Sequence, residues 1–360
     1  MGLRTWLGLK QPKALPPSSM HRSRVGTLRG YQVIEEGLIE PTFPIDVVYT
    51  WVDSSAPEFQ AVLAEHLPKT EAISDTMGSQ RFRSHDELRY SLRSIEYFAP
   101  WVNHIFIVTN GQRPSWLAQH AKVSIVRHDD IIEPRYLPTF NSHVIESALH
   151  RIPRLAEHYL YFNDDVLLLR PLRPIDAFTG SGLAYGFVNN IGVPSGRPLP
   201  HETATIWGIK NGRDLVHREW GQVFSRRFQH MFFPHVKVVA ELCERTFAKE
   251  YDEFRRNKFR SMNDVLCTGF LHPVVGYMTR QAILVFARPW YIKIAHPSAI
   301  NVYKTILREQ GNGLGRMAAC VNDTTYADNN LEDYDHCLRT FLETYFPVPS
   351  SFELCPKAGQ

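Results

Sequence analysis

The stretch that most limits what this chain can become is Tyr159-Leu160-Tyr161-Phe162-Asn163-Asp164-Asp165-Val166-Leu167-Leu168-Leu169. Apolar and aromatic residues run into two adjacent carboxylates and resume directly beyond them. The pattern reads as a buried strand whose end carries a pair of acids. A core strand has no cheap reason to hold two aspartates, because an unpaired buried charge is costly. Either the acids form a cap or turn in solvent, or something positive sits on them. Hard carboxylate oxygens at short range suit Mg²⁺ or Mn²⁺, and magnesium is normally held by one or two carboxylates plus substrate phosphates. The pair therefore points to a nucleotide or diphosphate ligand, although Asn-Asp-Asp also suits an ordinary turn.

The surrounding pattern places this strand in a larger rhythm. Ile45-Asp46-Val47-Val48-Tyr49-Thr50-Trp51-Val52-Asp53 is another buried strand, with Asp53-Ser54-Ser55 and Pro57 as its exit. Ser84-His85-Asp86-Glu87 reads as a capping box with Ser84 at the cap, opening a helix whose inner face is Leu88, Leu92 and Ile95. Strands follow at Ile105–Thr109 and Val123–Val126, the latter running into His128-Asp129-Asp130, which reads as a strand-exit turn. A helix after Pro138-Thr139, with Ile145, Leu149 and Ile152 inward, leads back to the acid-bearing strand. Residues 45–172 thus alternate strand and helix, the βαβ rhythm of an α/β, mainly parallel, doubly wound sheet. Such sheets place ligands at their carboxyl edge.

Beyond residue 172 the rhythm changes. Short strands are expected around Ala184–Val188 and Thr205–Gly208, then a charged helical stretch over 216–257 broken at Pro234, then mixed short elements over 258–305. Leu338, Phe341, Leu342 and Tyr345 mark a last amphipathic helix ending at Pro347. Residues 1–44 are rich in Pro, Ser, Arg and Gly and read as a loosely ordered basic leader with one short strand near Tyr31–Ile34. The expected organisation is one α/β domain over 45–353, with the strand–helix core at 45–172, a more helical portion at 173–353 and a tail at 354–360.

Composition narrows the function. A 360-residue chain with 44% apolar and 12% aromatic residues can bury an enzyme-sized core. A net charge of only +3 gives no sign of a nucleic-acid partner. Cys243, Cys267, Cys320, Cys337 and Cys355 are odd in number and lack CxxC spacing, which disfavours a disulfide framework or a zinc knuckle and favours a reducing compartment. No window approaches 18 apolar residues, and the first ten residues do not resemble a signal peptide. The expectation is a cytoplasmic protein, with peripheral contact to the inner face of the membrane left open by the basic leader. No GxxxxGK[ST], GxSxG or strand-linked GxGxxG occurs. His143, Glu146 and His150 share one helical face without HExxH spacing and read as solvated. Arg226, Arg227, His230, His235, Arg255, Arg256, Lys258 and Arg260 are either solvated basic faces or a clamp on phosphate.

Read together, four blocks resemble one family. The first is Ile45–Asp53. The second runs from Asp86-Glu87-Leu88-Arg89-Tyr90-Ser91-Leu92-Arg93-Ser94-Ile95-Glu96 through Ile107-Val108-Thr109-Asn110-Gly111-Gln112 and Leu137-Pro138-Thr139-Phe140-Asn141-Ser142 to Asn163-Asp164-Asp165. The third is Phe228-Gln229-His230-Met231-Phe232-Phe233-Pro234 with Lys258-Phe259-Arg260-Ser261-Met262-Asn263-Asp264, and the fourth is Val321-Asn322-Asp323 with Phe346–Glu353. They resemble the Stealth proteins, bacterial capsular-polysaccharide sugar-phosphate transferases related to the Golgi N-acetylglucosamine-1-phosphotransferase. Phe232 departs from the proline expected there in many bacterial members.

The resemblance implies a nucleotide-sugar transferase (GT-A-like) fold. It also implies transfer of a sugar 1-phosphate from a UDP-sugar to a glycan hydroxyl, with UMP leaving. Asp165, His230 and Arg260 would be catalytic, and Asp164 and Asp165 would hold Mg²⁺ or Mn²⁺, with Asp264 and Asp323 as further candidates. Tyr49, Trp51, Asp53, Asn110 and Asn163 would meet the donor. The same parts would serve a metal-dependent glycosyltransferase that releases UDP, or, less economically, a glycan-binding protein that has kept the fold.

Overall fold

The computed structural model describes residues 25–28, 31–34, 40–67, 85–310, 315–323 and 331–354. In the leader, β1 (Val25–Leu28) and β2 (Tyr31–Ile34) pair as an antiparallel hairpin; the rest of 1–39 lies outside the described residues. There follow β3 (Ile45–Thr50), β4 (Ile105–Thr109), β5 (Val123–Arg127), β6 (His158–Asn163) and β7 (Val166–Leu168). The second half supplies β8 (Ala184–Gly192), β9 (Arg226–Phe228), β10 (Phe233–Val236), β11 (Ala282–Phe286), β12 (Trp290–Lys293) and β13 (Ala318–Asn322).

The central sheet has the order β10-β6-β3-β4-β5, in which β6, β3, β4 and β5 are parallel and β10 is antiparallel at the edge. Near-continuous apolar runs build this sheet because it is covered on both faces: Val47, Val48, Ile107, Val108, Leu160 and Phe162 are all fully buried. Pro234 is tolerated in β10 because an edge strand can spare a ladder hydrogen bond. The expected α/β class with a mainly parallel sheet is what the structure shows. The chain begins in the middle with β3, adds β4 and β5 on one side, then crosses to β6 on the other. The switch point of the winding therefore falls between β3 and β6, whose last residues Thr50 and Asn163 are paired.

At that point the chain changes sheets. Asp164 and Asp165 form a two-residue turn, and β7 leaves it to join a second sheet of order β12-β13-β7. A third sheet, β11-β8-β9, lies in the second half. The helix Glu87–Phe98 locks the seam. Ser91 Oγ donates to the Val166 carbonyl at 2.5 Å and meets the Tyr49 hydroxyl at 2.7 Å, and the Leu168 amide donates to Ser94 Oγ at 3.0 Å. One hydrophobic core runs from Ile45 to Phe352.

Several local expectations are corrected. Thr205–Gly208 is not a strand but the start of the helix Ala204–Trp220; Thr203 caps it by accepting from the Ile206 amide, and Gly221 ends it at φ 65°. The cap and the helix-forming residues that follow outweigh a brief β-branched run. Residues 226–236, expected as helix, contain β9 and β10. The second half thus carries two small sheets besides its helices. The helix at Glu87 begins after Asp86, which adopts φ 62° with no side-chain cap, and the Glu87 carboxylate accepts from the His85 amide instead. Ser84 lies outside the described residues.

Gly208 is a point where the packing admits no side chain. A Cβ there would lie 2.7 Å from the Leu266 backbone nitrogen and 3.0 Å from its Cβ. Because backbone cannot swing aside, Gly208→Ala is expected to lose about 1–3 kcal/mol despite the better helix former. A denaturant midpoint equal to that of the parent would contradict this close approach.

Candidate active site

The acid turn is held from three directions. The Val321 amide donates to the Asp165 carbonyl at 2.9 Å, Cys320 Sγ donates to Asp165 Oδ2 at 3.2 Å, and Asn322 Nδ2 reaches the same oxygen at 3.5 Å. All three come from β13, which pairs with β7 just beyond the turn. Asp165 Oδ1 faces His230 Nε2 at 3.7 Å, and has no hydrogen-bond partner among the described residues. The Asp165 side chain is 17% exposed and that of His230 37%. His230 lies in the short link between β9 and β10, so the central and third sheets together aim it at the turn.

These groups set one another's charge. Burial pushes the Asp165 carboxyl up, but His230, Cys320 and Asn322 outweigh it and hold the group below the usual carboxylate range. His230 moves the opposite way: burial alone would lower it, and the Asp165 charge, helped by Glu146, raises it. Asp164 is held well above its ordinary value by burial and by the charges of Glu87 and Asp165. Glu87 is raised too, chiefly by burial. Ligand atoms of Asp165, His230 and Cys320 all lie within 4.8 Å of one another.

His230 opens on a cavity of about 430 Å³ whose lining includes Arg260, Asn163, Glu146, Thr268 and Tyr291. Arg260 donates to Ser142 Oγ at 2.7 Å. Asn163 Nδ2 donates to the Tyr161 hydroxyl at 3.2 Å. A second cavity, of about 700 Å³, lies where β3, β4 and β5 end, and Asp53, Asn110, Gln112, Arg127 and Phe140 are in its wall. There the Asp53 amide donates to Gln112 Oε1 and Gln112 Nε2 donates to the Asp53 carbonyl, both at 2.8 Å, which ties the ends of β3 and β4 together. Both cavities are on the carboxyl side of the parallel sheet.

Other candidates are placed elsewhere. Tyr49 is fully buried with its hydroxyl on Ser91, so it supports the sheet and does not reach a ligand. Trp51 is partly buried and packs on the core. Asp264 is fully buried and accepts from Asn141 Nδ2, Asn257 Nδ2 and the Ser261 amide, and meets His143 Nδ1 at 3.2 Å. With its oxygens so engaged it braces the loop before the cavity. Asp323 faces His85 Nε2 at 3.5 Å. His85 also meets Asp335 at 2.6 Å, and these acids with Glu87 outweigh burial and lift its imidazole to about 9.

His143, Glu146 and His150 are not solvated. All three are buried, against Asp264, Thr268 and Glu244 respectively. The basic cluster also separates. Arg255 is buried on Glu244 and Ser147, Arg256 pairs with Asp252, and burial drives the His235 imidazole down to about 3. Of the eight, Arg227, His230 and Arg260 line the smaller cavity. Three participants escaped the sequence reading. Glu87 reads as a capping residue in the sequence, Cys320 as one of an odd number of cysteines, and Tyr291 is not singled out there. Cys320 had one signal, its place directly before Val321-Asn322-Asp323.

Comparison with known proteins agrees with the first, second and fourth blocks quoted above. Residues 43–69, 81–185 and 316–359 match Stealth protein conserved regions 1, 2 and 4. An exopolysaccharide phosphotransferase of Streptomyces coelicolor is 36% identical over 346 residues, covering 95% of this chain and 58% of that protein. A second from the same organism is 38% identical over 321 residues, covering 87% and 52%. The chain thus spans little more than half the length of these two relatives. A capsular polysaccharide phosphotransferase of Haemophilus influenzae is 35% identical over 318 residues, covering 87% of this chain and 86% of that one. Among solved structures, the galactosyltransferase LgtC with donor and acceptor sugar analogs overlaps 87% of this chain and 98% of its own at 10% identity, with a TM-score of 0.41.

Proposed function

This chain belongs to the Stealth protein family, and on that footing we propose that it transfers a sugar 1-phosphate from a UDP-sugar to a hydroxyl of a polysaccharide, releasing UMP. A UDP-N-acetylhexosamine is the donor we assign. The observation that carries the reading is the Asp165–His230 pair, set beside the switch point of the sheet on a cavity shared with Arg260. The larger cavity, walled by Asp53 and Asn110, is assigned to the nucleotide, and the smaller one to the transferred phosphate, its sugar and the acceptor. No helix among the described residues is long and apolar enough to cross a membrane.

Phosphoryl transfer is mostly positioning plus charge neutralisation, so the protein need do little covalent chemistry. The acceptor oxygen bonds to the phosphorus that bears the sugar, the bond from that phosphorus to UMP breaks, and the hydroxyl proton passes to Asp165. A carboxylate held below its usual range is ionised at neutral pH. In a loose transition state the hydroxyl loses its proton late, so the placing of Asp165 matters more than its basicity. His230 supplies a proton or a hydrogen bond to the departing phosphate, and Arg260 neutralises charge on the transferred group. Asp164 and Asp165 would hold a divalent ion, Mg²⁺ or Mn²⁺, which when bound neutralises the donor diphosphate. Burial, with the charges of Glu87 and Asp165, raises the Asp164 carboxyl well above its ordinary value, and Asp165 Oδ1 lacks a hydrogen-bond partner among the described residues, which fits a site made for a cation.

Incubation with Mg²⁺, a panel of UDP-sugars and a glycan acceptor, followed by mass spectrometry, tests this directly. UMP is expected. UDP would mean attack at the anomeric carbon, and the reading would give way to a glycosyltransferase. The charge pattern adds a pH prediction. His230 must be protonated and its imidazole is raised, so kcat/KM should fall as pH rises through that raised value. Asp165 must be ionised and is lowered, so the acid limb should lie below the usual carboxylate range. His230→Gln should remove the alkaline limb; an alkaline limb that survives it would assign the acid elsewhere.

A further inference from the structure

The Asp165–His230–Cys320 cluster has a chemistry that magnesium does not use. Magnesium takes six ligands, nearly all oxygen, in octahedral geometry. One carboxylate, one imidazole and one thiol are the donors of a borderline transition-metal ion, for which nitrogen and sulfur ligands are preferred. We infer that these three side chains form an open site for Zn²⁺ or its spectroscopic stand-in Co²⁺, on the same aspartate that the hard cation needs.

The three donor groups already lie close together before any ion enters. Asp165 Oδ1 and His230 Nε2 are 3.7 Å apart, Cys320 Sγ and Asp165 Oδ2 are 3.2 Å apart, and the three donor groups fall within 4.8 Å of one another. A tetrahedral ion with ligands at about 2.0–2.3 Å has ligand-to-ligand edges of roughly 3.3–3.8 Å. The His230–Asp165 separation falls within that range and the Cys320–Asp165 separation just below it, each to a different oxygen of the carboxylate. Cys320 is held on β13 between β7 and β12, so its thiol is fixed by a sheet on both sides. Opposite it in register on β12 is Tyr291, which with His230 walls the smaller cavity. The fourth vertex would open on that cavity. Three protein ligands and one open position is the pattern of reactive zinc sites, in contrast to closed structural ones.

Binding would break the Cys320 S–H bond, with the proton passing to solvent and a sulfur–metal bond replacing the hydrogen bond to Asp165. Where the transfer reaction proposed above holds, zinc takes Asp165 and His230 together and opposes the magnesium-supported reaction. The inference itself does not need that reaction.

Titration of the full chain with Co²⁺ alone, followed by absorption spectroscopy, decides it. One equivalent should give a thiolate-to-cobalt charge-transfer band with the visible bands of a four-coordinate ion. Zn²⁺ should bleach both, and excess Mg²⁺ should not. Cys320→Ser should lose the charge-transfer band. A wild-type spectrum without that band, or a band that survives in Cys320→Ser, overturns the site. Cys320 is buried and its variant risks misfolding, so the half-exposed His230→Ala provides the second arm. It should bind Co²⁺ at least tenfold more weakly, and unchanged affinity also overturns the site. No arm measures nucleotide release, so failure here and failure of the transferase reading are separable.

Discussion

Asp165→Asn should abolish sugar-phosphate transfer while leaving the protein folded. Loss of a positioned proton acceptor costs a factor of about 10²–10⁴ on its own, and this variant also removes charge from the candidate cation site. The fold should survive for a local reason. Asparagine has the same shape, and its carbonyl oxygen can still accept from Cys320 and Asn322. What it removes is one of three crowded acids, since the charges of Glu87 and Asp165 add to the burial that drives up Asp164. Asp164 should then return toward its ordinary value, and His230 should lose the charge that raises it. Initial rates of UMP release, with circular dichroism and a melting curve on the same preparation, make the test. Near-normal turnover in a folded variant would remove Asp165 from the mechanism.

The largest expected effect on stability is at the other end of the chain. Glu353 is fully buried and receives Arg93 Nε at 2.6 Å, Arg93 Nη2 at 2.8 Å and Arg89 Nε at 2.5 Å. The Ser350 amide donates to it as well, at 2.8 Å. Both arginines lie on the helix Glu87–Phe98, whose hydroxyls secure the strand beyond the acid turn. Glu353→Ala would leave Arg93, 9% exposed, with its charge unpaired, and breaking such a pair typically costs about 3–5 kcal/mol. Its pH signature follows. Despite burial, Arg93, Ser350 and Arg89 hold the carboxyl down at about 2. A group lowered on folding stabilises above its unfolded value and loses that contribution as pH falls through the folded one. The stability gap between parent and variant should therefore be full near neutrality, shrink from about pH 4 and vanish near pH 2. A gap that does not change with pH would show that lost packing, not the ion pair, carries the effect.

How far the sequence could be read depended on the range of the interactions. β3, β4 and β6 announce themselves because a strand covered on both faces must be apolar along its length. The acid pair was visible because it breaks such a run. His143, Glu146 and His150 were misread for the converse reason: polar spacing on a helix looks solvated unless the partners are known. Those partners, Asp264, Thr268 and Glu244, lie about a hundred residues further on. Arg226–Phe228 is too short for periodicity to show, and its pairing with β8 decides its form. Cys320 carries no local sign of its role, because a thiol acquires one only by being placed against a carboxylate from another strand.

That separation along the chain also has a meaning in time. Cys320 reaches Asp165 across 155 residues, and β7 finds its neighbour β13 across the same gap. At about 5–20 residues per second of synthesis, the interval between the two is roughly 8–30 s. During it the nascent chain can close the β6-β3-β4-β5 sheet, yet Val166-Leu167-Leu168, fully buried in the finished protein, has no strand to pair with. This protein's exposure to misassociation on the ribosome is therefore concentrated just beyond its acid turn, and it ends only when β13 emerges.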